Sequence, residues 1–378
     1  MSPDVVVIGG GAVGCACAFE LVKRGAKVTV IERDGIASHA SGFSLGGLFP
    51  TQGAGIPGPV EAPARDSYDI HTRLYGELMD ETGIDYQLRQ VDQVSLATND
   101  ASRSALLEAY RWQRSRGFDA AMLSERDLRL LEPSLSPEIT SGLLLRSGME
   151  LNSYKYTLAL AQATEKRGGH ILSAEATGIA VRRGKVEGVA TRSGATVRTS
   201  AVVIASGPWA GLPPDSSHLP TSVVPLPLLP VKPIKGEILR VRMPGTGFAQ
   251  RFTFDGRSVG RKPDGLVWIA ATEQDRGFDE QPSAGGRDFL MAGAALISPT
   301  LSSAELVEHT TCLRPLTSDS LPLVGRMGMA EGVYAAAGAG KKGVLLSVVI
   351  AKWVAAIISG RPGDATVPPE LSTSRFGL

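Results

Sequence analysis

The chain has 378 residues, too many for one compact core, and fits two domains or one domain with a large insertion. Its 39 basic and 38 acidic residues leave a formal net charge of +1, which excludes a global field drawing it to nucleic acid or an acidic membrane. Hydrophobic residues at 43 %, with 44 glycines and 24 prolines, describe a soluble, loop-rich α/β enzyme and exclude a disordered chain.

The first stretch carries the most information. Val5 to Ile8 is a continuous apolar run, as in a strand buried on both faces of a parallel sheet. Because that run follows directly on Met1, no signal peptide is expected. Gly9, Gly11 and Gly14 then stand in the spacing GxGxxG: one glycine for a tight turn, one for close approach of a pyrophosphate, one for close packing of helix on strand. A helix is predicted from Ala12 to Arg24, closed by Gly25, and a second strand from Lys27 to Ile31. Glu32 ends that strand, where a carboxylate accepts hydrogen bonds from both ribose hydroxyls of an adenosine. These residues point to an adenine dinucleotide.

Residues 33–50 are dense in glycine and serine and lack periodicity, a loop that offers backbone N–H groups and hydroxyls to phosphates or a flat heterocycle. A helix is expected over 64–82, turning Tyr68, Leu74, Tyr75 and Leu78 to a core, then strands over 84–97 and a helix over 101–117. Residues 124–133 read as a short capped helix stopped by proline, and 139–150 as strand. Asn152 or Ser153 caps a helix over 154–167. Residues 169–210 give four or five short strands with turns at Arg183-Gly184 and Ser193-Gly194, ending in the buried run Ala201 to Ala205 and the turn Ser206-Gly207-Pro208-Trp209.

The segment 211–233 holds Pro213, Pro214, Pro220, Pro225, Pro227, Pro230 and Pro233, which rules out a regular helix or central strand and marks a crossover between domains. Strands at 235–243, 251–254, 258–262 and 266–272 fit an antiparallel sheet carrying Trp268, followed by a helix over 284–296. Residues 332–360 repeat the order strand, glycine turn, helix. The apolar run from Val344 to Ser359 is short for a membrane span and is interrupted by Lys352, so a helix buried against a sheet is expected. Cys15, Cys17 and Cys312 make neither a disulfide framework nor a CxxC pair, and Cys15 and Cys17 read as small core residues; a reducing cytoplasm is the expected setting. His39, His71, His170, His218 and His309 lack metal-ligand spacing, and no metal is expected.

The ordered series VVVIGGGAVG, ASHASGFSLGGL, VVIASGPWA, KGEIL, WIAATEQDRGFDE, CLRPLTSDSLPLVG and GAGKKGVLLS resembles the D-amino-acid oxidase superfamily of FAD-dependent oxidoreductases, nearest its glycine oxidase and sarcosine oxidase branch, over residues 4–360. The resemblance implies an α/β fold: an FAD-binding Rossmann-like domain of glutathione-reductase type over 1–85, 145–215 and 310–365, and an antiparallel-sheet substrate domain over 86–144 and 216–309. It further implies extended FAD and hydride transfer from the α-carbon of a small amino acid or amine to flavin N5. The imine then hydrolyses, and electrons pass to oxygen or another acceptor.

On that resemblance the residues expected to hold FAD are Gly9, Gly11, Ala12, Val13, Gly14 and Glu32; Arg33, Ser38, Ser41, Gly42, Gly46, Gly47 and Leu48; Ala176, Gly207 and Trp209; and Gly338, Gly340, Lys342, Gly343 and Val344. Arg314 matches the arginine that holds the substrate carboxylate, a task suited to a bidentate guanidinium, with a surface ion pair to Asp319 as the bland alternative. Lys341 falls where a basic residue assists that carboxylate or faces the flavin, and adjacent Lys342 leaves the choice between them open. The last helix aims its positive end at the flavin C2 carbonyl. Phe43, Ser44 and Leu45 depart from the Arg-Asn of relatives, and Ala339 stands where a histidine is frequent. Cys312 aligns with a cysteine that carries flavin covalently in sarcosine-oxidase-like relatives; non-covalent FAD is expected, with a link at Cys312 as the alternative.

The expected partners are a small amino acid or amine and oxygen or another electron acceptor, with no nucleic acid and no integral membrane segment; a homo-oligomer is compatible with the sequence. A dehydrogenase passing electrons to a quinone or protein is the alternative within the same chemistry. A flavin monooxygenase would need a second nucleotide site, and no second complete GxGxxG follows a strand. Arg314 argues against a scaffold that has lost its chemistry.

Overall fold

The computed structural model describes residues 2–213, 219–220, 223–361 and 366–378, so Pro214 and His218 lie outside the described residues. The chain divides into two compact units, one of residues 1–86, 152–234 and 313–378, the other of residues 87–151 and 235–312.

The first unit is built on a six-stranded sheet in the order Leu323–Arg326, Val333–Ala337, Ala201–Ile204, Val5–Ile8, Val28–Glu32, His170–Ser173. Its strands are parallel except the antiparallel edge Leu323–Arg326. The continuous apolar runs have the cause expected of them, since both faces are covered. One face carries four mutually packed helices, Ala12–Lys23, Glu61–Thr82, Ser153–Lys166 and Gly343–Ser359. On the other face Val6, Ile8, Val202, Ile204 and Ala335 share a core with Ile179, Val186 and Val189 of a four-stranded antiparallel sheet. The stretch Gly340–Ser359 is long and apolar enough to cross a membrane, with mean hydropathy 1.8, but 67 % of it is buried within the fold, as befits a core helix.

The second unit carries a mainly antiparallel sheet in the order Glu305–Thr317, Val231–Arg242, Val267–Ala270, Arg257–Arg261, Arg251–Phe254, Arg89–Ala97, Ser141–Glu150, with Ala120–Ser124 also on Ser141–Glu150. Arg251–Phe254 and Arg89–Ala97 form its parallel pair. One face supplies Val94, Leu144, Leu239, Phe252, Val259 and Ile269 to a core closed by Leu290, Ala294 and Ile297 of the helix Ala284–Ile297.

Several elements depart from the sequence reading. The second helix starts at Glu61, with Pro63 in its first turn where no N–H is needed, and buries Ala64, Ser67, His71, Leu74 and Leu78. Tyr68 and Tyr75 are only half-buried, because the i, i+3/i+4 stripe that meets the neighbouring helices runs one position beside them. Strand begins at Arg89 and not at 84. Ser141–Glu150 pairs with Arg89–Ala97 to its last residue, so the chain changes unit after 151. In the proline-rich segment Val223–Pro225 is an edge strand on Ala176–Arg182, and Pro233 sits ahead of the stretch of Val231–Arg242 that pairs with Val267–Ala270.

Candidate active site

Glycine at 14 is a packing necessity: a Cβ there would lie 2.0 Å from the Gly9 carbonyl oxygen. The helix Ala12–Lys23 therefore starts directly against the first strand, its N-cap Gly11 contributing no side-chain cap. Ser41 Oγ accepts from the Ala12 N–H at 2.8 Å, which ties the serine-rich loop to this turn. Glu32, at the end of Val28–Glu32, accepts from Gly10 N–H at 2.6 Å through one carboxylate oxygen and from Asp34 N–H at 2.7 Å through the other. The oxygen bonded to Asp34 also accepts from Gly35 N–H at 3.4 Å, and the one bonded to Gly10 keeps a lone pair for a further donor. Gly9, Gly11, Ala12, Val13, Gly14 and Glu32 thus stand together at one end of the parallel sheet.

The loop beyond Glu32 closes on Trp209. The Arg33 guanidinium lies 5.4 Å from the indole ring centroid and the His39 ring 4.3 Å, while Asp34 bonds both Arg33, at 2.8 Å, and His39, at 2.8 Å. The Arg33 hydrogen bond, joined by that of His39, outweighs burial and holds the Asp34 carboxyl at about 2. Neither Asp34 nor His39 was singled out from the sequence, since an isolated Asp and His in a loop carry no periodic signal. Trp209 belongs to a 3-10 turn, Gly207–Gly211, that follows the strand Ala201–Ile204. Ser38 and Gly42 lie in the same loop, Gly42 N–H donating to His39 O at 2.8 Å. Gly46 donates to Ser44 Oγ at 3.1 Å, and the short strand Gly47–Leu48 packs on the helix Gly343–Ser359 with Leu48 fully buried. Ala176 sits half-buried in the small antiparallel sheet, packed on the core it shares with the parallel one.

The end of Glu305–Thr317 meets the second glycine turn through a bridge between Leu316 and Ala339. Gly338 has φ +70°, and a Cβ there would lie 2.6 Å from Thr317 Cγ2, so turn and strand approach as only glycine allows. Arg314 thus stands two residues before the bridge, its neighbour Pro315 approaching Gly340, where a Cβ would lie 3.9 Å from Pro315 O. Arg314 is buried, not a surface ion pair, and Asp319 is held by Arg375 at 2.8 Å and by the Thr317 hydroxyl at 2.8 Å.

The two lysines differ. Lys341 is exposed. Lys342 is half-buried, N-caps the helix Gly343–Ser359 and donates from Nζ to Phe49 O at 2.7 Å. Burial, with Lys341 beside it, lowers its pKa to about 8. Val344 lies in the first helical turn and is buried; its carbonyl accepts from His71 Nε2 at 3.1 Å, as does that of Leu345 at 3.0 Å. His71 therefore braces this helix start from Glu61–Thr82. Burial lowers its pKa to about 4, against the two carbonyl bonds. Only its place on the 64-67-71-74-78 stripe signalled this role.

A family model described as FAD dependent oxidoreductase matches residues 4–357. A glycine oxidase of Geobacillus kaustophilus is 30 % identical over 99 % of this chain and 97 % of that protein, and a hydrogen cyanide synthase subunit HcnC of Pseudomonas protegens is 27 % identical over 92 % and 90 %. Among solved structures, a glycine oxidase from Bacillus cereus superposes with a TM-score of 0.86 at 27 % identity, covering 96 % of each chain. With the glycine turns, Glu32 and the sheet order already in place, the chain belongs to the DAO family of FAD-dependent oxidoreductases.

Proposed function

We propose that this enzyme oxidises a small amino acid or secondary amine (glycine, sarcosine or a D-amino acid) at its α-carbon to an imine that hydrolyses in water, with oxygen as acceptor. The observation that carries the reading is Arg314, a buried guanidinium beside the second glycine turn. FAD, when bound, supplies N5 as the acceptor of the α-hydride. The residues fit it: beyond the Ala12 N–H held by Ser41, the start of Ala12–Lys23, which Gly11 leaves without a side-chain cap, would turn backbone N–H groups to a pyrophosphate, and Glu32, pinned by Gly10 and Asp34, would meet ribose hydroxyls. The first unit would hold FAD.

Arg314 would hold the substrate carboxylate through two parallel hydrogen bonds and so fix the direction of the Cα–H bond. Exposed Lys341 would assist that carboxylate. Lys342 and the start of Gly343–Ser359 would place positive charge at the pyrimidine end of the flavin. The glycine oxidase names of the Geobacillus and Bacillus relatives support the substrate class. Cys15, Cys17 and Cys312 are buried and in no disulfide among the described residues, which fits a reducing cytoplasm.

The test is anaerobic flavin bleaching across glycine, sarcosine, D-alanine and D-proline, then peroxide release in air. Bleaching with peroxide supports the reading; turnover with a dye and no peroxide replaces oxygen by a quinone or protein acceptor, and no bleaching by any amine rejects it. FAD is taken as non-covalent, so acid precipitation is expected to leave the yellow colour in the supernatant; colour in the pellet would assign a link to Cys312.

A further inference from the structure

The last residues of the chain return to the loop that follows Arg314. Leu371 and Thr373 are buried, Ser372 bridges to Val324 of the antiparallel edge strand, and the Thr373 hydroxyl donates to Arg326 O at 2.6 Å. Phe376 and Leu378 pack on the core shared by the two sheets of the first unit. Glycine at 325 lets the segment come this close, since a Cβ there would lie 2.5 Å from Thr373 Oγ1. Arg375 is thereby anchored from both sides. Its guanidinium donates from Nε to Asp319 Oδ2 at 2.8 Å, from Nη2 to Asp319 Oδ1 at 3.3 Å and to Leu321 O at 3.0 Å, and from Nη1 to Ser372 O at 3.1 Å.

These contacts bear on the shape of loop 317–321 more than on stability. An ion pair with side chains 14 % and 36 % exposed, Arg375 and Asp319, adds little to folding. Its geometry does more. Asp319 Oδ1 also accepts from Leu321 N–H at 3.0 Å and lies 2.8 Å from the Thr317 hydroxyl, which is 2.7 Å from Leu321 O. Ser320 stands among them at φ +60°, a conformation that serine keeps only where its surroundings impose it. Thr317 and Leu321 are also the residues against which the second glycine turn packs. The Cβ that Gly338 lacks would lie 2.6 Å from Thr317 Cγ2 and 3.4 Å from Leu321 O, and Leu316, between Arg314 and this loop in sequence, bridges to Ala339. Arg375 therefore reaches the turn and the end of the Arg314 strand through one layer of contacts, all within the first unit.

We propose that Arg375 is a positioning residue for Arg314: clasped to Asp319 and to Leu321 O, it holds loop 317–321 against the second glycine turn and so fixes the guanidinium that would receive the substrate carboxylate. The inference rests on the carboxylate role proposed for Arg314. A guanidinium suits the task because its fork takes both oxygens of Asp319 and still reaches a carbonyl, which the single ammonium of a lysine does not do in one geometry. Loss of the clasp lets the strand end shift, and two-point carboxylate recognition is sensitive to small displacements.

The experiment uses the FAD-loaded full chain. Acetate, a carboxylate without an amine, is titrated and its Kd read from the perturbation of flavin absorbance, in the native protein, Arg375→Met, Arg375→Lys, Asp319→Asn, the double variant Arg375→Met with Asp319→Asn, and Arg314→Lys. Arg375→Met is expected to weaken acetate about tenfold, with FAD affinity and the thermal midpoint little changed. Arg375→Lys gives a smaller loss, Asp319→Asn the same loss as Arg375→Met, and the double variant no further one, as for partners in a single contact. An amino acid that bleaches the flavin shows the same loss in apparent Kd with a smaller change in limiting rate, and serves alone if acetate leaves the native spectrum unchanged. Acetate weakened by Arg314→Lys but not by Arg375→Met overturns the inference and spares the reading of Arg314. A loss that FAD affinity shares in equal measure marks general loosening and overturns it too. Carboxylate binding unmoved by Arg314→Lys, or flavin that no amino acid reduces, removes the carboxylate reading and the inference with it. If Arg375→Met fails to fold, Arg375→Lys and Asp319→Asn decide.

Discussion

Gly14→Ala is the sharpest perturbation of the turn proposed to hold the cofactor. The added methyl would sit 2.0 Å from Gly9 O and 3.1 Å from Gly9 C, with Ala205 Cβ at 3.4 Å behind it. The two nearest atoms are backbone, so no rotamer change relieves the overlap, and the first turn of Ala12–Lys23 must move off Val5–Ile8 by roughly an ångström to restore contact distance. Overpacking of this kind costs about 1–3 kcal/mol. Because the displaced atoms are the N–H groups proposed for the pyrophosphate, the cost falls on FAD affinity, and at 1.4 kcal/mol per decade it predicts roughly 5- to 150-fold weaker binding. The assay is titration of deflavinated protein with FAD, followed by quenching of flavin fluorescence. Gly76→Ala is the control: it lies within Glu61–Thr82 with nothing within 4 Å of the new Cβ, so it stabilises the helix by about 0.5–1 kcal/mol and leaves FAD affinity unchanged. A Gly14→Ala Kd within twofold of the native value would refute the argument.

Glu32→Gln removes the charge proposed to pair with ribose hydroxyls, and the same titration is expected to show FAD binding weaker by about tenfold or more. Arg314→Lys loses the bidentate fork and lowers kcat/KM by roughly 30- to 1000-fold for amino acids, on a loss of about 2–4 kcal/mol; an equal loss for an amine without a carboxylate would contradict the role. His71 titrates at about 4 in the fold against about 6.5 unfolded, so between these values the unfolded chain binds the extra proton. Stability therefore falls as pH drops from 6.5 towards 4, by about 3 kcal/mol from this residue. Urea midpoints measured across that range are expected to fall less steeply in His71→Gln, and an unchanged slope would exclude His71 as the source.

Local chemistry was legible wherever short-range sterics decide it. The run Val5–Ile8, the glycines, the helix Ala12–Lys23 and the strand Val28–Glu32 stand where the spacing put them. Ser124 and Asn152 cap their helices by accepting from Asp127 and Lys155 N–H, as side chains two or three bonds from the backbone do regardless of the rest of the fold. The core helix ending at Ser359 was readable because Lys352 and the preceding strand outweigh its hydropathy. Less legible were elements whose limits depend on a distant partner: the start of Arg89–Ala97, the edge strand Val223–Pro225 and the register that keeps Ser141–Glu150 whole.

The sequence by itself therefore determined the family and the order strand, glycine turn, helix, strand over residues 5–32, since these rest on glycine sterics, apolar runs and contiguous motifs. Only the tertiary structure decided that His71 braces the last helix, that Lys342 is spent on Phe49 while Lys341 is exposed, and that Asp319 answers Arg375. It alone gathered Arg89, Glu150, Arg251 and Lys262, charged residues that in a linear reading pass for solvated surface. Strand pairing between segments far apart in sequence brought them together, burying Glu150, Arg251 and Lys262 while Arg89 stays half-exposed, and no local pattern announces such pairing.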